Sequence, residues 1–184
     1  MAVQKQAYSV AQFEEFIARP ENEDRLFELI DGEIVEKVVT QQHGIIAAEF
    51  ATELNLWLRQ NPIGRVAVEA RHRPADDDEN DRLPDVSFVA DLSKAVVREG
   101  AVLSMPDLAV EIKSPSDSFK KMREKARYYL ANGARLVWLA FPEQRIIEVY
   151  TPDDEFVLSE DEMLKGGDVL PGFAVAVRDV FRNV

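Results

Sequence analysis

Hydrophobic residues recur along this chain at two different spacings, and the change from one to the other marks its elements. From residue 43 to 59, Ile46, Phe50, Leu54 and Trp57 return at three- and four-residue intervals, which predicts an amphipathic helix. Asn61-Pro62-Ile63-Gly64 ends it. Over residues 65–73 the spacing falls to two. Val66, Val68 and Ala70 alternate with Glu69 and Arg71, the pattern of a strand. Upstream, Ser9-Val10-Ala11-Gln12 has capping-box spacing and opens a short helix that ends near Arg19-Pro20. Residues 25–30 and 33–39 flank Asp31-Gly32, a hairpin signal, because both residues tolerate the positive φ of a tight turn.

The second half continues in the same way. In residues 84–90, Val86 and Phe88 share one strand face, and Asp85 lies opposite with Ser87. In residues 108–114, Leu108, Val110 and Ile112 point one way, while Ala109, Glu111 and Lys113 point the other. Residues 91–106 between them have no period. Ser114-Pro115-Ser116-Asp117-Ser118 is a turn that caps a helix running to about Asn132, where Gly133 suits the stop. Residues 134–141 are nearly continuously apolar, as in a strand buried on both faces. Residues 145–151 and 155–159 form a hairpin around Pro152-Asp153-Asp154, and a short strand and a turn near Phe181 close the chain. Tyr129, Trp138 and Phe141 read as core packing, and His72 acquires no role.

Composition narrows the class. A chain of 184 residues, 46% hydrophobic, fits one globular domain over residues 1–184. It contains no Cys, which excludes disulfides, thiolate nucleophiles and zinc–thiolate sites. No apolar run reaches the length of a membrane span, and Met1-Ala2-Val3-Gln4-Lys5 leads into no signal-peptide core, so a cytoplasmic location is expected. The net charge of −12 counts against avid binding to nucleic-acid phosphates. Asp76-Asp77-Asp78-Glu79-Asn80-Asp81 supplies much of it and reads as a solvated hairpin loop. Basic residues gather at Lys120, Lys121, Arg123 and Lys125, a candidate phosphate-contacting surface that competes evenly with an ordinary solvated helix face.

The candidate chemistry lies on the two alternating strands. Asp85 and Glu111 are carboxylates able to hold a hard divalent cation through oxygen, and Lys113 shares the strand face of Glu111. Carboxylates, a cation and a lysine are the ingredients of metal-assisted phosphodiester hydrolysis. Structural ion pairs of Asp85 and Glu111 with Lys113 and Arg71 are the competing account. Glu69, one strand earlier, is either a further acid beside the site or an exposed edge carboxylate.

Pro84-Asp85 followed by Glu111-x-Lys113 resembles the PD-(D/E)XK nuclease signature. The surrounding words are more specific: Leu29-Ile30-Asp31-Gly32-Glu33, His43 at a helix start, Leu83-Pro84-Asp85-Val86, and Glu111-Ile112-Lys113-Ser114-Pro115-Ser116. Lys125 with Tyr129 and Gly133, then Val137-Trp138-Leu139 and Pro142-Glu143, complete the order. From about Tyr8 to about Phe181 the chain resembles the Uma-two family of restriction endonucleases, a branch of the PD-(D/E)XK superfamily. The resemblance implies an α/β, restriction-endonuclease-like core with a mixed central sheet flanked by helices, and extra N- and C-terminal hairpins. It implies a DNA endonuclease dependent on Mg²⁺, with Mn²⁺ as substitute, working as a homodimer. Asp85, Glu111 and the Ile112 carbonyl would hold the cation, Lys113 would orient the attacking water, and Glu28 and His43 would line the site. One alternative is the same fold without activity, binding nucleic acid or a basic protein partner. Another is a metal-dependent phosphoesterase for small nucleotides, which no Gly-rich phosphate loop supports.

Overall fold

A computed structural model describes residues 7–184; the N-terminal segment Met1–Gln6, with the Met1–Lys5 stretch read above for a signal peptide, lies outside the described residues. Ser9 caps α1 (Val10–Ile17), and the reciprocal bonds of the capping box are both formed. β1 (Leu26–Ile30) and β2 (Glu33–Lys37) pair as an antiparallel hairpin of their own. Its turn needs left-handed backbone at Asp31 (φ 49°) and Gly32 (φ 74°). A Cβ at Gly32 would also meet the Ala7 Cβ at 2.7 Å, so only glycine fits there.

Thr40 caps α2 (Gln41–Leu58), which leads into the central sheet. That sheet contains β3 (Arg65–Val68), β4 (Val86–Val89) and β5 (Leu108–Ile112). After α3 (Phe119–Ala131) come β6 (Leu136–Phe141), β7 (Ile146–Tyr150) and β8 (Glu155–Leu158). The six strands lie in sequence order. All neighbours are antiparallel except β5 and β6, and α3 is the crossover that a parallel pair requires.

The period-2 pattern decides which helix each strand residue meets. Val86, Phe88, Leu108, Val110 and Ile112 pack with Ile46, Phe50 and Leu54 of α2. Ala109, Val137 and Leu139 pack with Met122, Ala126 and Tyr129 of α3. Each large side chain buried in this way contributes roughly 1.5–3 kcal/mol. The end of the chain covers the α2 side. β9 (Met163–Lys165) and β10 (Ala174–Ala176) form a second two-stranded sheet, followed by α4 (Val177–Val180). Phe173 stacks on Trp138 with ring centroids 5.8 Å apart.

The 145–159 hairpin forms as expected, and as β7 and β8 it extends the central sheet. Two expectations need revision. β3 stops at Val68 because Glu69 adopts φ 51°, which breaks the strand alternation expected to Arg73. The acidic run is not wholly solvated. The Asp78 and Glu79 carbonyls accept the Val10 and Gly32 N–H groups at 2.8 Å, and Asn80 and Asp81 are buried. Its backbone is needed to tie the N-terminal hairpin to the core.

Candidate functional site

Asp85 sits one residue before β4 and still belongs to the ladder, since its N–H donates to the Val110 carbonyl at 3.0 Å. Glu111 is on the adjacent β5. Both carboxylates are 2% exposed and lie on the α3 side of the sheet, as the alternation predicts. The floor of a cleft of about 670 Å³ is built around them by Glu28 of β1, Lys37 of β2, His43 of α2 and Lys125 of α3. The sheet, the hairpin and both helices therefore converge on one place.

Each carboxylate there is hydrogen-bonded. Asp85 Oδ1 accepts from the Lys37 ammonium and from His43 Nε2, the latter at 3.0 Å. Asp85 Oδ2 accepts the Ile112 N–H at 2.6 Å. Glu111 accepts the Tyr129 hydroxyl at 2.7 Å on Oε1 and Lys125 at 3.2 Å on Oε2. Glu28 accepts the Leu83 N–H at 2.9 Å and Lys125 at 2.6 Å. Among the described residues, buried His43 Nδ1 has no hydrogen-bond partner.

These donors separate the three acids electrostatically. Burial pushes the Asp85 carboxyl up, but Lys37 and the His43 bond outweigh it and hold the group well below the usual range. Glu28 is lowered too: Lys125 and Lys37 overcome the cost of burial. Glu111 is raised, because burial and the neighbouring Asp85 and Glu28 outweigh the same lysines. Lys125 stays charged although buried, since Glu111 and Glu28 raise it more than burial lowers it.

The structure brings together Asp85, Glu111, Glu28 and His43, but it sends Lys113 elsewhere. β5 ends at Ile112, and the chain then turns toward α3. The Lys113 ammonium donates to the Ser114 carbonyl at 3.1 Å and lies 5.6 Å from the centroid of the Phe119 ring. That ring is held against Phe141 with centroids 5.0 Å apart, so the lysine stays at the start of α3 and does not line the cleft. Glu69 is exposed and also outside the cleft, for the backbone reason already given. Ile112 lines it, next to Asp85.

The expected basic surface is dispersed. Lys125 is buried between two acids, Arg123 pairs with Glu148, and Lys120 pairs with Glu124 at 3.6 Å on the open face of the helix. Of the four, Lys121 and Lys125 line the cleft. His72 has a structural task, with Nδ1 3.0 Å from the Ser104 carbonyl and Nε2 3.2 Å from Ser87 Oγ.

Sequence reasoning missed Lys37 and the polar role of Tyr129, yet both had a signal. In the hairpin register Glu28 pairs with Val35, so Lys37, two residues on, shares the face of Glu28. Lys125 and Tyr129 are four apart on α3 and present one face to Glu111.

The donor set suits a hard divalent cation. A carboxylate has about four lone-pair directions. Asp85 uses three of them on Lys37, His43 and Ile112, and Glu111 uses two on Tyr129 and Lys125. Oxygen positions therefore remain on both acids. Among the described residues no group of three or more His, Asp or Glu side chains forms a cage, so two carboxylates, a carbonyl and waters are the available complement.

No curated protein matches the sequence. Among solved structures, the chain is similar to a crystal structure from Anabaena variabilis ATCC 29413, titled a "putative nuclease belonging to DUF820". The two are 25% identical and superpose with a TM-score of 0.77 over 92% of this chain and 96% of that one. The family model Uma2, described as "Putative restriction endonuclease", matches residues 13–178. The match runs from α1 to α4 and includes the hairpin, the central sheet and every residue of the cleft floor, and this chain belongs to the Uma2 family.

Proposed function

We propose that the protein is a DNA endonuclease that hydrolyses phosphodiester bonds with Mg²⁺, or with Mn²⁺ in its place. The observation that carries this reading is the pairing of Asp85 and Glu111, both buried, side by side on one sheet face and open to a cleft. Family membership and the similarity to the DUF820 protein support the same class.

Asp85, Glu111 and the Ile112 carbonyl are the residues that would hold the cation. When bound, it would polarise the scissile phosphate and help ionise the attacking water. The protein's own part is orientation. Ile112 N–H and His43 Nε2 fix the Asp85 carboxylate, and the Tyr129 hydroxyl fixes Glu111. Lys125 keeps Glu28 and Glu111 from repelling one another. A homodimer would bring a second cleft to the opposite strand.

One observation favours an inactive, binding-only module: both acids already touch an ammonium. The deciding experiment is a nuclease assay on supercoiled, linear and single-stranded DNA, with and without Mg²⁺ or Mn²⁺. Metal-dependent nicking or linearisation is expected. Intact DNA under every condition, from protein that binds Mn²⁺, would establish the binding-only module instead.

A further inference from the structure

We propose that Lys37, and not the motif lysine Lys113, is the catalytic lysine of this site, placing its ammonium against the reacting phosphate. The inference rests on the metal-dependent hydrolysis proposed above. A lysine serves such a reaction by where its charge lies, not by where its Cα lies. Lys113 begins on the right strand face, but its ammonium is committed to the Ser114 carbonyl and the Phe119 ring, outside the cleft. Two other ammoniums reach the carboxylates.

Lys125 is the less suitable of them. It is clamped between Glu28 and Glu111, so two negative charges already offset its one positive charge. Among the described residues Lys37 touches a single carboxylate, Asp85, and its other bond goes to the Leu83 carbonyl at 2.6 Å. An ammonium has three N–H donors, so one remains for a phosphate oxygen or an attacking water. Lys37 lines the cleft with its side chain 11% exposed, in contact with the very carboxylate assigned to the cation. A cation on Asp85 and a phosphate bound to that cation would therefore lie within reach of Lys37. The β2 hairpin delivers this charge from outside the central sheet, which is why the motif on β5 does not reveal it.

The test compares Lys37→Met, Lys37→Arg and Lys113→Met by single-turnover plasmid cleavage, Mn²⁺ calorimetry and thermal midpoint. Lys37→Met should bind Mn²⁺ at least as tightly as the wild type, because Asp85 loses a competing cation. Its rate should fall on the order of 100-fold, the loss seen when one charge-stabilising group is removed. Lys37→Arg, which keeps the charge beside Asp85 and guards against a Met variant that fails to fold, should recover part of that rate. Lys113→Met should stay within about threefold of the wild type, under 1 kcal/mol of barrier. A folded Lys37→Met as fast as the wild type, a folded Lys37→Arg slowed about 100-fold or more, or a collapse in Lys113→Met, overturns the assignment while leaving the nuclease reading standing. A wild type that binds Mn²⁺ and cuts nothing removes the nuclease reading, and this assignment with it.

Discussion

Asp81 and Asp85 are four residues apart, both buried and both surrounded by positive charge, yet their electrostatics are opposite. Asp85 receives three aimed donors, from Lys37, His43 and Ile112, and its carboxyl is held well below the usual range. Asp81 has guanidiniums nearby, Arg71 Nη1 at 3.5 Å and Arg73 Nε at 3.9 Å, but among the described residues neither of its carboxylate oxygens finds a hydrogen-bond donor. Burial then dominates and pushes the group up to about 6, despite Arg71. Proximity of opposite charge does not settle a buried carboxylate; the direction of the donors does. Asp85 is prepared to meet a ligand as an anion. Asp81 joins the hairpin to the core through its backbone, with N–H and C=O both bonded to Leu29 at 2.9 Å, and its carboxylate is tolerated rather than used.

The contrast is most exposed at Asp85. Asp85→Ala leaves Lys37 and His43 facing an absent partner, and breaking a buried pair on one side costs about 3–5 kcal/mol. Urea unfolding should show that loss, and calorimetry should show Mn²⁺ binding nearly abolished. Unchanged stability and unchanged Mn²⁺ binding would erase the distinction between the two aspartates.

Asp81→Asn should move in the opposite direction, with a pH signature. The folded value of about 6 lies above the ordinary 3.8, so folding takes up a proton between them. The associated stability is complete below about pH 4 and disappears as pH rises through about 6. The wild type should therefore lose on the order of 2 kcal/mol relative to Asp81→Asn between pH 4 and 7. Thermal midpoints measured across that range check it, and parallel pH profiles for the two proteins would contradict it.

Tyr129→Phe sharpens the comparison on the Glu111 side. It removes one donor from a buried carboxylate but leaves Lys125 in place. A loss of about 1–2 kcal/mol is expected by chemical denaturation, smaller than at Asp85. The smallest effect belongs to Lys120→Ala, because Lys120 and Glu124 pair in solvent. A change within about 0.5 kcal/mol is expected there, and a larger one would mean that exposed charge matters here as much as buried charge.

Much of this was legible in the chain. Alternation in residues 84–90 and 108–114 placed Asp85 and Glu111 opposite Val86 and Val110, and Ser9 and Ser118 cap helices as expected, whereas α2 begins at Gln41, two residues before the expected His43. The words around Asp31-Gly32 and Pro84-Asp85 carried the family. Local rules failed where a side chain had a choice. The positive φ of Glu69 ended β3 early, and nothing in period-2 spacing announces such a residue. Lys113 had the right parity but found Phe119 and the Ser114 carbonyl within reach. The helix-face lysines could not be sorted by sequence either, since Lys125 faces Glu28 from 97 residues away, while Lys120 lies in solvent beside Glu124.

The sequence by itself determined most of the strands and helices up to β8, their order from α2 to β6, and the two carboxylates that face the cleft, because hydrophobic spacing and strand parity are local properties. Only the tertiary structure decided which cations meet those carboxylates. A long side chain on a fixed backbone can reach several partners, and the choice depends on which acids, carbonyls and rings the fold has brought near it. Here the hairpin brought Lys37, α3 brought Lys125, and the turn after β5 led Lys113 away.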